Sequence, residues 1–191
     1  MLTEGWGNPG FEAKLDYLVA VATEAATTPG PVLECGSGLT TILTGLLAGR
    51  RGVDLWSVEH TEEWRLRLIA VLTRHQITNV HVVSAPLRDF DGFAWYDAQV
   101  ELPQNFSLVI CDGPPGDTAG GRYGLLPVAG KKLAKGAVIL LDDVGRPSEQ
   151  EVIERWSREA KLSVELHQHD DAVFASIIVK EIGTRSTGAV L

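Results

Sequence analysis

A chain of 191 residues, 45% hydrophobic and 22% charged, has the material for one sizeable core and the composition of an ordinary globular domain. Its formal net charge of -8 argues against nucleic acid and anionic lipid as partners, and no run approaches the ~20 apolar residues of a membrane span. The opening MLTEGWGNPG lacks the basic and apolar regions of a signal peptide, so the expected location is the cytoplasm.

In chain order, Phe11, Leu15, Leu18, Val19 and Ala22 fall at helical spacing and predict one apolar face, on a helix that ends before the TTPG turn at 27–30. PVLEC then predicts a strand, LTTILTGLLAG a helix ending at Gly49, and DLWSVEH a second strand. TEEWRLRLIAVLTRH carries Trp64, Leu68, Val71 and Leu72 on one stripe, with Glu62 and Glu63 in the first turn, where the helix dipole favours acid. NVHVVSA predicts a third strand, and 86–105 a long loop with at most one short helix. FSLVICDGPPG and GAVILLDDVGRP predict fourth and fifth strands, each a continuous apolar run of the kind buried on both faces of a parallel sheet. Between them RYGLLPVAGKKLAKG is a weak helix, and after Pro147 SEQEVIERWSREAK is a better one, with Val152, Trp156 and Ala160 on one stripe. LSVELHQ and AVFASIIVKEI are separated too briefly for a helical crossover and predict an antiparallel hairpin.

The pattern specifies an α/β three-layer sandwich: a seven-stranded, mostly parallel sheet with one antiparallel strand. One domain is expected over 1–191, with an N-terminal helical segment (1–30) and a flexible tail (183–191). Cys35 and Cys111 fall inside apolar strands, without metal-ligand spacing, and are expected to be reduced core thiols.

Ligands of such sheets bind beyond the carboxyl ends of the strands, where strand order reverses. There, VLECGSGLTT places Glu34 before Gly36 and Gly38, which permit a tight turn onto a helix N-terminus. A nicotinamide fingerprint would have a third glycine where Thr41 stands, and Glu34 is unwelcome beside a pyrophosphate. A ligand with an amino-acid end suits better: Glu34 for its ammonium, the helix amides and Thr40 for its carboxylate. Glu59, about 20 residues beyond the glycines, suits a ribose diol. An amino acid joined to a nucleoside is S-adenosylmethionine.

From about Pro31 to Ile182 the chain resembles the class I S-adenosylmethionine-dependent methyltransferases. Glu34-Cys35-Gly36-Ser37-Gly38 is similar to that family's first motif, Val58-Glu59-His60 to its second, and Ile110-Cys111-Asp112-Gly113-Pro114-Pro115 to its fourth. The resemblance implies a Rossmann-like methyltransferase fold. It implies Glu34, Gly36, Ser37, Gly38 and Thr40 around the methionine end, Glu59 on the ribose, His60 at the adenine or ribose edge, and Asp112 near the methyl group. Ser84-Ala85-Pro86 carries no acid for the adenine amino group, so backbone atoms around Ala85 are expected to read the base.

The expected reaction is in-line methyl transfer to a small molecule, most simply to oxygen, with Asp112 or Asp143 as the base. Asp112, Asp142 and Asp143 could also ligate magnesium, as in small-molecule O-methyltransferases, but Val144 stands where that pattern has an amide or acid nearby, and no metal is assigned. The N-terminal decapeptide with Trp6, the 86–105 loop and the 117–124 loop are expected to line the acceptor side. Rival readings are a nicotinamide oxidoreductase, a non-catalytic S-adenosylmethionine-binding module and an aminopropyl transferase. The oligomeric state is not legible.

Overall fold

The computed structural model describes residues 13–98, 100–169 and 172–182. Seven strands form one sheet: β1 (Val32–Cys35), β2 (Leu55–Glu59), β3 (Val80–Ser84), β6 (Phe106–Cys111), β7 (Leu133–Leu141), β8 (Ala160–Gln168) and β9 (Val173–Ile182), in the order β3-β2-β1-β6-β7-β9-β8. All neighbours pair in parallel except β7 with β9 and β9 with β8, which makes β9 the reversed strand. The seven-stranded, mostly parallel sheet is thus the expected one. Cys35 and Cys111 pair in register across β1 and β6, and both are buried and free.

Alternation along the central strands divides the core. Val32, Leu55, Leu108, Ile110 and Leu140 face helix α1 (Leu15–Thr27) and its neighbour α2 (Leu39–Gly49), where Tyr17, Val21 and Ala25 meet them. Leu33, Val109, Cys111, Ile139 and Leu141 face the other way, onto Tyr123, Leu125 and the buried Trp156 of helix α4 (Pro147–Glu159). Helix α3 (Glu62–Arg74) buries Leu68 and Leu72 against Val80 and Val82 at the β3 edge, beside Ile42 of α2. Among the described residues, no helix is long and apolar enough to cross a membrane.

Four expectations are corrected. The buried face of α1 is Tyr17, Val21 and Ala25, while Leu15 and Val19 are exposed; the phenol of Tyr17 donates to the Leu140 carbonyl, which lets a polar group join the core. The 86–105 segment is no plain loop: β4 (Leu87–Phe90) and β5 (Phe93–Tyr96) form a hairpin turning at Asp91-Gly92, with Gly92 at φ +80°. Asp-Gly between apolar runs is a strong hairpin signal. The weak helix resolves into 3₁₀ turns at Gly121–Gly124 and Gly130–Lys132 around a π turn at Leu125–Ala129, its glycines and Pro127 preventing a regular helix. Strand β7 starts at Leu133, three residues before the apolar run begins. Trp6, Phe11 and the 183–191 tail lie outside the described residues.

Candidate functional site

Strand order reverses between β1 and β6, whose following segments leave toward opposite faces of the sheet. The crevice this opens at the carboxyl ends is a cleft of about 480 Å³. Gly36 and Ser37 follow β1, Glu59 and His60 come from the end of β2, Tyr96 ends β5, Asp112 and Gly113 follow β6, and Asp142 and Asp143 follow β7. Lys14, Trp64, Arg122 and Arg146 complete much of the wall.

The turn after β1 is tight. Gly36 takes φ +85°, and a Cβ there would stand 3.1 Å from the Gly113 amide nitrogen, so glycine is needed for both reasons. Glu34 does not reach the cleft. It alternates with Leu33 and Cys35 and so points into the layer under α2, fully buried. Its Oε2 accepts hydrogen bonds from the hydroxyls of Thr41 and Ser57, each at 2.6 Å, and Thr41 Oγ1 accepts the Gly38 amide at 2.9 Å. Burial pushes the Glu34 carboxyl up to about 7 against the opposing hydroxyl bonds. Glu34 therefore anchors the turn from beneath, and Thr41, in the place of a third glycine, is the link. The other carboxylate oxygen of Glu34, Oε1, has no hydrogen-bond partner among the described residues.

Glu59 is in the cleft. Its Oε2 accepts the Ser37 hydroxyl at 2.6 Å and the Ser37 amide at 3.2 Å, and its Oε1 accepts the Thr61 amide at 2.7 Å. His60 Nδ1 lies 3.1 Å from Oε1, within ion-pair reach once protonated but off hydrogen-bond geometry. Burial pushes this carboxyl up, and the contacts from His60, Ser37 and Thr61 outweigh it, holding the group below the usual range. Trp64 Nε1 donates to the Ser37 carbonyl at 2.8 Å and braces the turn.

At the other wall, Arg122 was not singled out in the sequence, and it organises the acids. Its side chain is 2% exposed. Nη2 donates to the Asp112 carbonyl at 2.7 Å, to Asp112 Oδ1 at 3.2 Å and to Asp143 Oδ2 at 2.8 Å, while Nη1 donates to the Asp142 carbonyl. Arg146 adds a second guanidinium on Asp143 Oδ2 at 3.0 Å. The buried Glu149 accepts the Arg122 amide and fixes the start of the clamp. Burial raises Asp112 well above the usual carboxylate range, with Arg122 opposing and Asp142 and Asp143 reinforcing; burial and Asp143 raise Asp142 to about 6.

Carboxylate oxygens of Asp112, Asp142 and Asp143 lie within 4.8 Å of one another, a spacing that invites a metal. One oxygen of Asp112 and one of Asp143 are already taken by the buried Arg122 guanidinium, which competes with a cation for this site.

Of the residues predicted from sequence, Gly36, Ser37, Glu59, His60, Asp112 and Asp143 line the cleft, and Glu34, Gly38, Thr40 and Ala85 do not. Thr40 and Ala85 are buried, and the Ala85 amide is committed to the Glu59 carbonyl at 2.8 Å, so it is not free to read a base. Tyr96, Arg122 and Arg146 were missed. The available signal for Arg122 was its position as the only basic residue in the glycine-rich GDTAGGRYG, between two strands that end in acid.

No protein-family model matches the chain, and no curated protein matches it in sequence. Solved structures do match in fold. Cofactor-bound Rv0187 from MTB superposes with a TM-score of 0.70 at 18% identity, covering 94% of this chain and 86% of that one. The tRNA (m1A58) methyltransferase TrmI from Aquifex aeolicus gives 0.65 at 18% identity, covering 94% and 76%. The O-methyltransferase from Bacillus cereus in complex with SAH gives 0.65 at 16%, covering 90% and 84%. The chain has the Rossmann-like methyltransferase fold.

Proposed function

We propose that the protein is an S-adenosylmethionine-dependent methyltransferase acting on a hydroxyl of a small molecule. The observation that carries this reading is the division of one cleft at the strand-order reversal: the Ser37 and Glu59 pair at one wall, Asp112 and the Arg122 clamp at the other.

S-adenosylmethionine, when bound, supplies a sulfonium methyl group open to in-line displacement. Gly36 brings the backbone close to such a ligand. Glu59 receives the ribose diol; a carboxylate accepts about four hydrogen bonds, and three are already made, so the Ser37 hydroxyl gives way to the ligand on Oε2. Asp112 takes the proton of the acceptor hydroxyl, and burial, by raising its carboxyl, makes it a stronger base than an exposed aspartate. Arg122 supplies a fixed positive charge where some enzymes place a metal, and Asp143 holds Arg122. A small acceptor is favoured by the net charge of -8, which opposes a tRNA backbone.

Transfer of labelled methyl from S-adenosylmethionine is to be measured on pools of hydroxyl compounds, amines and bulk tRNA, with and without EDTA. Label in the hydroxyl pool, indifferent to EDTA, is expected. Label confined to tRNA, or a requirement for magnesium, overturns the reading.

A further inference from the structure

Buried phenols normally have a partner. In this chain Tyr17 donates to the Leu140 carbonyl at 3.1 Å and Tyr123 to Glu159 at 2.8 Å. Tyr96 is the exception: it is 3% exposed, its hydroxyl has no partner among the described residues, and it is the tyrosine that lines the cleft.

The hydroxyl stands at the strand-order reversal. A Cβ built on Gly113 would collide with Tyr96 Oη, and the same Cβ would be 3.0 Å from Gly36 Cα and 3.2 Å from the Cys35 carbonyl oxygen. Tyr96 Oη thus lies where the turns after β1 and β6 meet. The ring is locked edge-on to Trp95, with centroids 5.3 Å apart at 79°, and to His60, 6.2 Å apart at 63°. His60 is next to Glu59, so the ring belongs to the Glu59 wall. Burial pushes the phenol well above its ordinary range, with Cys35 and Glu59 adding to the shift, so the group stays protonated and acts as a donor.

We propose that Tyr96 is a cofactor-binding residue whose hydroxyl donates a hydrogen bond to the nucleoside part of an S-adenosyl ligand, a bond the protein alone does not make. The assignment rests on the methyltransferase reading above. It accounts for a buried donor that nothing else satisfies, placed against the two glycine positions that let a ligand come close.

The test is Tyr96→Phe, which removes one oxygen and keeps the packing. Calorimetry is run with S-adenosylhomocysteine and with 5′-methylthioadenosine, which keeps the nucleoside and lacks the amino-acid end. Both are expected to bind about 10-fold more weakly to the variant. The melting temperature of the ligand-free variant is expected to equal or exceed the wild type, because the lost hydroxyl had no partner. Unchanged affinity in the folded variant overturns the assignment, and so does a loss seen with S-adenosylhomocysteine alone. A lowered melting temperature without ligand also overturns it, since the hydroxyl would then serve the fold. A wild type that binds neither compound overturns the cofactor reading and this assignment with it.

Discussion

Arg122 Nη2 lies 2.8 Å from Asp143 Oδ2, and the same nitrogen reaches Asp112, so one buried guanidinium ties together the ends of β6 and β7. Two strands that each end in acid would repel over this crevice, and the clamp turns that repulsion into a fixed arrangement of charge.

Removing the clamp takes the buried counterion from the half-buried Asp112 and leaves Asp143 with Arg146 alone. Arg122→Met is expected to lose about 3 to 5 kcal/mol of stability, the range for breaking one side of a buried pair. Arg122→Lys keeps the charge but loses the fork that reaches four acceptors on three residues, and falls between. Urea denaturation of both variants measures the order; a Met variant as stable as the wild type would make the clamp irrelevant to folding.

The buried Glu34 makes stability depend on pH. Its carboxyl is raised from 4.5 to about 7 in the folded chain, so the native state holds a proton that the unfolded state releases. That contribution is complete below about pH 4.5 and is lost as pH rises through about 7. Relative to Glu34→Gln, which cannot titrate, the wild type is expected to lose about 3 kcal/mol across this window, at about 1.4 kcal/mol per unit. Parallel stability curves for the two proteins from pH 4.5 to 8 would show that Glu34 does not titrate there.

Glu59 takes part in both the turn and the proposed ribose contact. Glu59→Gln is expected to weaken S-adenosylhomocysteine binding by about 1.5 to 3 kcal/mol, the range for hydrogen bonds to a charged group. Trp64 lines the same cleft, so its fluorescence offers an independent titration. Equal affinity in a folded Gln variant would remove Glu59 from the ligand site.

Asp112 and Asp143 are expected to differ in role. Asp112→Asn should lower turnover on the true acceptor about 100-fold or more, with cofactor affinity within about 3-fold and the acidic limb of the pH-rate profile gone. Asp143→Asn should act through Arg122, lowering stability and turnover together while the acidic limb persists. A limb that vanishes in the Asp143 variant and persists in the Asp112 variant would exchange the two roles.

Which segments form the sheet strands, and that one of them is reversed, was legible in the sequence, because strands buried on both faces must be continuous apolar runs, helices must carry a periodic face, and a short link between two strands turns the chain back. The acid-ended strands also marked the crevice before any coordinates, since an ionisable group beside a buried strand is tolerated only where the strand meets solvent or a partner. Glu59, Asp112 and the glycine turn could be read this way, each from a few neighbouring residues.

Tertiary structure decided what depends on distant partners. Glu34 has the same local signature as Glu59, yet only the pairing of Glu34 with Ser57 across β1 and β2, and the arrival of Thr41 above it, turn it into a buried anchor. Arg122 is one arginine in a glycine-rich loop until β6 and β7 lie side by side and bring Asp112 and Asp143 to it. Helix α1 is apolar on more than one side, so its periodicity admitted two buried faces, and the sheet chose the one carrying Tyr17, whose hydroxyl reaches a carbonyl 123 residues away. Local pattern fixes which elements form; the direction of a side chain at a strand end, and the charge that neutralises it, come from residues far along the chain.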